Sequence, residues 1–280
     1  MKLLHTQLQN QPSDIQGVHS KDFLWLNIRD LPYFRALLRA VEAQFYQEFK
    51  LPPPTLDIGC GEGHFAEVTF DRKIDVGIDP WTGPIREART RQVYRLLTEA
   101  DAGKMPYPNG YFASAFSNSV LEHIPHVQEV LNEAARVLKP GASFLFCVPN
   151  HRFNDNLSIA LLLDKLGLHS LAGLYRSFFT KISRHRHLDS PEVWSSRLEG
   201  AGFVLERWWH YFPPKALSVL EWGHYFGLPS LIVRKLTGRW ILVPASWNLM
   251  PMYRLLQPYA QAVAAEDGVC TFYVARRVGG

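Results

Sequence analysis

Three glycines at alternate positions constrain the fold of this chain more than any other feature. They lie in the run Leu56-Asp57-Ile58-Gly59-Cys60-Gly61-Glu62-Gly63, which follows three prolines and precedes a helix start at His64-Phe65-Ala66. Thr55 to Ile58 has the pattern of a short buried strand. A strand, a glycine turn and a helix N-terminus in this order predict a site for a ligand with an anionic end. Glycine suits this turn because a side chain would block the approach of the ligand to the backbone.

The spacing of the glycines narrows the class of ligand. Dinucleotide-binding folds use G-x-G-x-x-G, whose last small residue would stand where this chain has His64. The spacing here is G-x-G-x-G, one residue tighter, which speaks against a nicotinamide oxidoreductase. A tight strand–helix turn without any ligand is the structural alternative.

Length and composition indicate a sizeable core. The chain has 280 residues, of which 47% are hydrophobic and 20% charged, enough for one large α/β domain or a core with a smaller addition. The formal charge of +4 is mild and gives no reason to expect a nucleic-acid partner. The cysteines, Cys60, Cys147 and Cys270, are too far apart to suggest a disulfide framework or a metal site, so we expect no metal.

The N-terminus and the apolar runs bear on localisation. Met1-Lys2-Leu3-Leu4 continues into polar residues, unlike a signal peptide, and no apolar run reaches the roughly 18–20 residues of a membrane span. We therefore expect a cytoplasmic protein.

Strand and helix patterns alternate along the middle of the chain. Apolar runs predict strands at 55–58, 74–79, 95–100, 112–117, 143–148, 203–211 and 269–275. Helices are expected from His64, from Pro84 to Tyr94, over 127–138 and over 191–199. This alternation predicts an α/β fold with a Rossmann-like, seven-stranded, mostly parallel sheet and helices on both faces.

The remaining segments complete a predicted division of the chain. Residues 1–50 form an N-terminal helical extension, 51–150 the ligand-binding core, 151–190 an insertion after strand 5 that is expected to cap the substrate, and 191–280 the end of the sheet with an aromatic-rich cap at 213–265. Residues 1–21 are expected to be loosely held. Asp30 is expected to cap a helix beginning near Pro32, which either packs into the core or forms a lid over the glycine loop. Leu157 to Leu168 is expected to be a helix of the insertion.

Three acids stand at the ends of three successive strands. They are Asp57, Asp79 and Asp101. Ligands of open α/β sheets bind at the carboxyl ends of the strands, so an acid after strand 2 could accept two ribose hydroxyls and one after strand 3 an adenine amine. Any one of these acids alone would more often be a helix cap or a loop charge.

Residues 55–150 resemble the core of the class I S-adenosylmethionine (SAM)-dependent methyltransferases, in particular the group that includes ubiquinone- and menaquinone-pathway enzymes. Besides the glycine run, the matching segments are Gly77-Ile78-Asp79, Asp101-Ala102, Met105-Pro106-Tyr107, Ser117-Asn118-Ser119-Val120-Leu121-Glu122-His123-Ile124 and Arg136-Val137-Leu138-Lys139-Pro140-Gly141. The chain departs from the family pattern at two positions. Ala113 stands where many relatives have an acid, and Ala142 stands where many have a second glycine. Neither position would touch the cofactor.

The resemblance implies SAM as the cofactor and assigns roles to individual residues. Asp57 and the loop backbone would hold the methionine end, Asp79 the ribose, and Asp101 with Ala102 the adenine. Ser117 and Asn118 would face the methionine moiety, and Trp81 would either stack on adenine or pack as an apolar side chain. The full set of expected cofactor-binding residues is Asp57, Gly59, Cys60, Gly61, Gly63, Asp79, Trp81, Asp101, Ala102, Ser117 and Asn118.

The expected reaction is transfer of a methyl group to an oxygen, nitrogen or carbon atom of an acceptor. Because the sulfonium methyl is already activated, the protein must mainly align the acceptor and exclude water. His123 is the candidate general base, with a structural hydrogen-bonding role as the alternative. Glu122 would border the substrate. His185 and His187 become further substrate-site candidates if the insertion folds over the site.

The acceptor is less defined than the cofactor. A nucleic-acid methyltransferase is an alternative, although such enzymes often carry an Asn-Pro-Pro-Tyr-like motif where this chain has Ser117-Asn118-Ser119-Val120. A non-catalytic SAM-binding module is another. A sugar, a quinone-like ring, a lipid or another metabolite would each be compatible with the motifs.

The composition of residues 222–265 suggests an amphiphilic acceptor. There is no acidic residue between Glu221 and Glu266, and Trp and Tyr are interleaved with aliphatic residues. Such a segment could rest on anionic lipid headgroups, line an apolar pocket, form a dimer interface or simply pack. We expect it to cap the acceptor site of an enzyme that takes a small-molecule or lipid-like acceptor and makes peripheral contact with a membrane.

Overall fold

A computed structural model describes residues 21–279. Its centre is one sheet of seven strands in the order β3-β2-β1-β4-β5-β7-β6. The strands are β1 (Thr55–Ile58), β2 (Ile74–Asp79), β3 (Tyr94–Glu99), β4 (Phe112–Asn118), β5 (Leu138–Pro149), β6 (Phe203–Tyr211) and β7 (Cys270–Arg277). Strands β1 to β5 pair in parallel, whereas β7 runs antiparallel to both β5 and β6. The predicted seven-stranded α/β sheet is therefore confirmed.

Eleven helices accompany this sheet within residues 21–279. They are α1 (Phe23–Ile28), α2 (Tyr33–Tyr46), α3 (His64–Thr69), α4 (Thr82–Arg91), α5 (Val127–Val137), α6 (Ser158–Lys165), α7 (His169–Ser183), α8 (Pro191–Gly200), α9 (Pro214–Phe226), α10 (Leu228–Thr237) and α11 (Ser246–Leu256). No helix in this part of the chain is both long and apolar enough to cross a membrane.

The sheet separates two apolar clusters, because successive side chains of a strand point to opposite faces. On β5, Phe144 and Phe146 pack with Trp194 of α8, while Leu145 and Cys147 belong to the cluster that contains α2. The chain order reverses between β1 and β4, which lie side by side at the centre of the sheet. This is the position where open α/β sheets form a crevice at the carboxyl ends of their strands.

Helix α2 packs into the core and also contributes side chains to the central cleft. Its apolar side, including Leu37, Val41 and Phe45, is fully buried, while Arg35 and Arg39 line the central cleft. The expected cap was wrong, because Pro32 occupies the N-cap and no side chain caps the helix. Asp30 instead lies 3.7 Å from Nδ1 of the buried His64. The expectation for residues 1–20 lies outside the described residues.

The insertion and the C-terminal segment are helical and pack against each other. Glu221 of α9 is fully buried and accepts hydrogen bonds from the Ser158 amide at the start of α6, at 2.6 Å, and from the Tyr175 hydroxyl of α7, at 2.8 Å. Farther along, Tyr253 of α11 donates to Asp22 at 2.6 Å. Residues 213–265 thus form three helices held to both the insertion and the N-terminal helices.

Candidate active site

A cleft of about 630 Å³ opens at the carboxyl ends of β1, β2 and β4. This volume lies within the range typical of small-molecule sites. The cleft is lined by Leu31, Arg35, Arg39, Asp57, Gly59, Cys60, Gly61, Glu62, Gly63, His64, Phe65, Ile78, Asp79, Pro80, Trp81, Asp101, Ala102, Asn118, Ser119, Val120, His123, Ile124, Pro125, Ser183 and Arg184. Most of the residues expected to bind the cofactor are therefore brought to one cavity.

The glycine loop forms the floor of this cleft. Gly59 has a φ of 78°, and a Cβ built on it would lie 2.4 Å from Cγ1 of Val120, so no side chain fits there. Gly61 has a φ of 52°, but a Cβ at Gly61 would meet no other heavy atom within 4 Å. A side chain at Gly61 would therefore enter free space at the loop surface, which is the condition for close approach of a ligand to the backbone.

Asp79 holds the loop in place from the end of β2. Its Oδ2 accepts a hydrogen bond from the Gly61 amide and its Oδ1 accepts one from the Trp81 amide, each at 3.0 Å. Burial raises the pKa of this carboxyl group, and the two amides oppose that shift. Each oxygen retains a second acceptor position. The Trp81 side chain is 69% exposed at the cleft wall and packs in no core.

Asp57 is the deepest acid of the cleft. The Tyr94 hydroxyl donates to its Oδ2 at 2.6 Å. Burial raises the pKa of Asp57 to about 7, assisted by the nearby charge of Asp79 and opposed by the Tyr94 hydrogen bond. Tyr94 is the first residue of β3, and no pattern in the sequence marked it as part of the site.

Asp101 and Ala102 follow β3 at the other end of the cleft. Asp101 accepts a hydrogen bond from the Gly103 amide at 2.8 Å, which fixes the turn that carries it. Ala102 is buried beside it. Together with the exposed Trp81 ring, which lines the same cleft, they supply one acid, one small residue and one aromatic surface.

The residues after β4 divide between the cleft and the protein interior. Ser117 is fully buried and does not line the cleft, because its hydroxyl donates to the Ile58 carbonyl at 2.8 Å between β4 and β1. Asn118 lines the cleft and donates through Nδ2 to Glu42 at 2.7 Å. Ser119 has a φ of 50°, unusual for a residue with a side chain, and its hydroxyl also donates to Glu42 at 2.7 Å.

His123 lines the cleft, and its hydrogen bond shows which ring nitrogen carries the proton. Its Nδ1 lies 3.1 Å from the Arg184 carbonyl oxygen, which can only accept, so Nδ1 carries the proton and Nε2 is left with its lone pair. Burial lowers the pKa of His123 below 6.5, and the Arg184 carbonyl partly opposes this shift. The ring is therefore neutral at neutral pH.

Glu122 neighbours His123 on the Nε2 side of the ring and does not line the cleft. Its side chain is 2% exposed, and Oε1 lies 3.6 Å from Nε2 of His123. Burial raises the pKa of Glu122 to about 8, against the nearby charge of Arg39. At neutral pH this carboxyl group is mainly protonated.

The two histidines of the insertion do not reach the cleft. The His185 ring stacks on His123 with centroids 5.6 Å apart, and its burial lowers its pKa to about 3. His187 contacts the Ile124 carbonyl through Nε2 at 2.9 Å. Both side chains fix the loop after β4 against the insertion, while Ser183 and Arg184 are the insertion residues that line the cleft.

A buried polar network on α2 was not anticipated from the sequence. Glu42 is fully buried and accepts hydrogen bonds from Arg39 at 2.7 Å and from the Tyr211 hydroxyl at 3.0 Å, besides those of Asn118 and Ser119. Arg35, Arg39 and Glu42 recur at steps of four and three residues on one side of α2. That polar stripe opposite the apolar one was the available signal.

The C-terminal segment flanks the cleft and does not cover it. None of residues 213–265 lines the cleft. The expected covering role of that segment therefore does not hold in this structure. One link to the cleft is Trp240, whose ring lies 5.8 Å from the Arg35 guanidinium and 4.9 Å from that of Arg234. No group of three or more metal-ligating side chains occurs within residues 21–279.

Comparison with protein families matches residues 56–146 to a model described as a methyltransferase domain. Trans-aconitate 2-methyltransferase of Sinorhizobium medicae is 25% identical over 62% of this chain and 68% of its own length. A mitochondrial 2-methoxy-6-polyprenyl-1,4-benzoquinol methylase of Drosophila melanogaster is 29% identical over 37% of this chain and 36% of its own. The chain spans less than half the length of most of the curated relatives.

Solved structures give the same fold. A SAM-dependent methyltransferase of Thermotoga maritima, described as a possible histamine N-methyltransferase, aligns with a TM-score of 0.54 at 15% identity, covering 87% of this chain and 91% of its own. A [4+2]-cyclase aligns with a TM-score of 0.52 at 18% identity, covering 89% of this chain and 84% of its own. At these identities the likeness concerns the fold.

Proposed function

Because the chain belongs to the class I SAM-dependent methyltransferases, with SAM as their cofactor, we propose that it is an enzyme that transfers a methyl group to an oxygen, nitrogen or carbon atom of an amphiphilic small molecule. The observation that carries the proposal is the single cleft that joins the glycine loop and the three acids to His123.

The residues present fit SAM. The open space over Gly61 accommodates a ligand against the loop backbone. Asp79 retains acceptor positions suited to two ribose hydroxyls, and Asp101, Ala102 and Trp81 border a space suited to adenine. Asp57 and Asn118 lie near the loop, where the methionine end would be held. Bound SAM supplies an electrophilic methyl group on a sulfonium sulfur.

His123 is proposed as the general base. The Arg184 carbonyl fixes the tautomer with Nδ1 protonated, so Nε2 can take a proton from an acceptor hydroxyl or amine. The protonated Glu122, whose Oε1 lies 3.6 Å from Nε2, adds no negative charge that would hold a proton on the ring. The lowered pKa keeps the base unprotonated at neutral pH. An acceptor attacked at carbon would need the same proton removal after methylation.

The walls of the acceptor side combine apolar and cationic groups. Leu31, Phe65, Ile124 and Pro125 would exclude water from the reacting atoms. Arg35, Arg39 and Arg184 line the same cleft. An acceptor with an apolar body and a polar or anionic group matches this lining. The insertion, through Ser183 and Arg184, would act as the substrate cap.

Two measurements test this proposal. Calorimetry should show binding of SAM and S-adenosylhomocysteine and none of a nicotinamide dinucleotide. SAM with a labelled methyl group, incubated with the protein and cell extracts separated into aqueous and lipid-extractable fractions, should label a product in the lipid-extractable fraction. Cofactor binding with no labelled product in any fraction would favour a non-catalytic SAM-binding module, and labelled nucleic acid would favour the nucleic-acid methyltransferase.

A further inference from the structure

Exposed large apolar side chains are concentrated on four helices of the insertion and the C-terminal segment. We call this set the apolar face. Its members, between 41% and 79% exposed, are Leu161, Leu162, Leu166, Leu171, Leu174, Phe178, Ile182, Trp222, Phe226, Leu228, Leu231, Ile232 and Leu236. A water-soluble monomer rarely exposes so many large apolar residues on neighbouring elements without a binding role.

Helix α7 is apolar on two sides. Ala172 and Phe179 are fully buried against the core. Leu171, Leu174, Phe178 and Ile182 recur at steps of three and four residues, which puts them on one stripe of the helix. The side chains of that stripe are 41% to 67% exposed, so the packing of this chain uses only part of their apolar surface.

Helix α10 shows the same arrangement more strongly. None of its residues is buried. Its link to the core is Arg234, which donates to Glu87 of α4 at 3.0 Å and lies over the Trp240 ring. Leu228, Ile232 and Leu236 are four residues apart and more than half exposed. The helix is thus held through a charged side chain and presents leucine and isoleucine to the outside.

The four helices form one connected layer. Helix α6 packs against α7 and α9, and α9 contacts α10. The buried Glu221 joins α9 to the start of α6 and to Tyr175 of α7. On α9, Trp222 stacks on Phe226 with ring centroids 6.0 Å apart. The exposed stripes therefore belong to adjacent elements of one body.

The exposed charges on these four helices that have no ion partner within residues 21–279 are basic. Lys165, Lys181, Lys235 and, just after α10, Arg239 are exposed, and none of them has an acidic partner within residues 21–279. The acid of α6, Asp164, is occupied by Arg176 at 2.6 Å and by His169 at 2.9 Å. Unpaired lysine and arginine beside exposed leucine and tryptophan complement an anionic lipid surface.

We infer that the apolar face docks peripherally on an anionic membrane. The leucines and aromatic rings enter the headgroup region while the surrounding lysines and arginines contact lipid phosphates. The helices lie in the membrane plane, since none of those described is long enough to cross it. This inference rests on the proposed function in one respect. Helix α7 ends at Ser183, and both Ser183 and the following Arg184 line the cleft. A docked enzyme would therefore meet an amphiphilic acceptor at the cleft wall.

Vesicle flotation of the full chain tests the docking. One set of vesicles consists of phosphatidylcholine, and the other of phosphatidylcholine and phosphatidylglycerol in equal parts. We expect binding to the anionic vesicles that weakens with added salt and is at least about tenfold weaker on neutral vesicles. Equal binding to both sets, or binding to neither, would overturn the inference.

Paired variants locate the contact. Leu174→Glu with Ile232→Glu removes two apolar contacts, and Lys181→Glu with Lys235→Glu reverses two charges; each pair should reduce binding about tenfold or more. Leu96→Glu with Val204→Glu is the matched control, because these residues are 52% and 53% exposed on the two edge strands. Unchanged binding of both face variants would also overturn the docking. If either variant misfolds, hydrogen exchange of the wild-type chain with and without anionic vesicles is the deciding measurement. We expect the backbone amides of α7 and α10 to exchange more slowly on the vesicles. Unchanged exchange rates in these helices would reject the apolar face as the docking surface.

Sedimentation velocity distinguishes a second copy of the chain from a membrane. The wild-type chain could form a dimer that binds no vesicles, while the variant with Leu174→Glu and Ile232→Glu is a monomer. That result would assign the apolar face to self-association instead. Calorimetry with S-adenosylhomocysteine, run on the same samples, separates this inference from the proposed function. Vesicle binding without cofactor binding would reject the function and keep the docking, and the reverse result would reject the docking alone.

Discussion

Arg39 donates to Glu42 at 2.7 Å from one turn earlier on α2, and this ion pair separates the cleft from the core. The arginine side chain is 19% exposed on the cleft side, whereas the glutamate is 1% exposed. Burial opposes the charge on Arg39, but the contact with Glu42 outweighs it and raises the pKa of the guanidinium. Glu42 also accepts hydrogen bonds from Asn118, Ser119 and Tyr211, so the ion pair connects α2 to the end of β4 and to β6.

Glu42→Ala should be one of the most damaging single substitutions in the chain. It leaves Arg39 and three further donors without their shared acceptor, and breaking a buried pair in this way costs about 3–5 kcal/mol. Chemical denaturation measures the loss. Tyr211→Phe, which removes one of the four hydrogen bonds, should cost only about 1 kcal/mol. Similar losses for the two variants would mean that the network acts as ordinary packing.

Asp79→Ala should weaken the binding of S-adenosylhomocysteine without unfolding the protein. It removes the proposed ribose acceptors and also frees the Gly61 amide from the carboxylate. Loss of charged hydrogen bonds of about 1.5–3 kcal/mol each corresponds to at least a tenfold weaker Kd by calorimetry. Asp267→Ala, at an exposed turn, is the control and should bind as the wild type does. Unchanged affinity in Asp79→Ala would remove this residue from the cofactor site.

His123→Ala should lower turnover by about 10²–10⁴-fold and leave cofactor binding intact, if the acceptor loses a proton in the reaction. The wild-type rate should be flat above pH 7 and fall in acid, because burial sets the pKa of His123 below 6.5 and protonation removes the Nε2 lone pair. Steady-state kinetics across pH checks both points. Wild-type turnover in the variant would leave His123 with its structural bond to Arg184.

Glu122→Gln should stabilise the protein in mild alkali. The folded-state pKa of about 8 lies above the ordinary value of 4.5, so the folded protein keeps a proton that the unfolded chain has lost. The stability contributed by Glu122 is complete below pH 4.5 and declines as the pH rises towards 8. Glutamine keeps the neutral shape, so the variant should be about 1–3 kcal/mol more stable than the wild type at pH 8 and similar at pH 4.5. Chemical denaturation of both proteins across this pH range checks the prediction. If the free energy of unfolding changes with pH in the same way in the variant and the wild type, Glu122 does not have the raised pKa.

The sheet could be predicted because its signals are local. The glycine loop, the acids near the ends of β1 and β2, and the apolar runs of the strands each lie within a few residues of one another. The three C-terminal helices could not be predicted in the same way, because residues 213–265 contain six prolines, and proline ordinarily interrupts a helix. Pro214 instead stands in the first turn of α9 and Pro229 in that of α10. Proline is favoured there, since its missing amide has no partner to lose.

The cleft could be predicted in part. The residues of the loop and Asp79 follow from their motif, but Glu42 meets Tyr211 from 169 positions away, and no local pattern encodes such a contact. Ser117 shows the opposite error. Its place in the motif suggested that it contacts the ligand, whereas its hydroxyl donates a hydrogen bond to the Ile58 carbonyl and so joins β4 to β1.

The antiparallel strand β7 has a consequence for how the chain is made. It lies between β5 and β6, yet both are synthesised before it. During translation, β5 therefore carries a row of unpaired backbone groups while residues 150–269 are added, and β6 has no neighbour to join. Open strand edges of this kind recruit other chains. The emerging protein is thus most vulnerable to aggregation late in synthesis, after its cofactor-binding half has formed, and a ribosome stalled before Cys270 would hold a nascent chain with an open sheet.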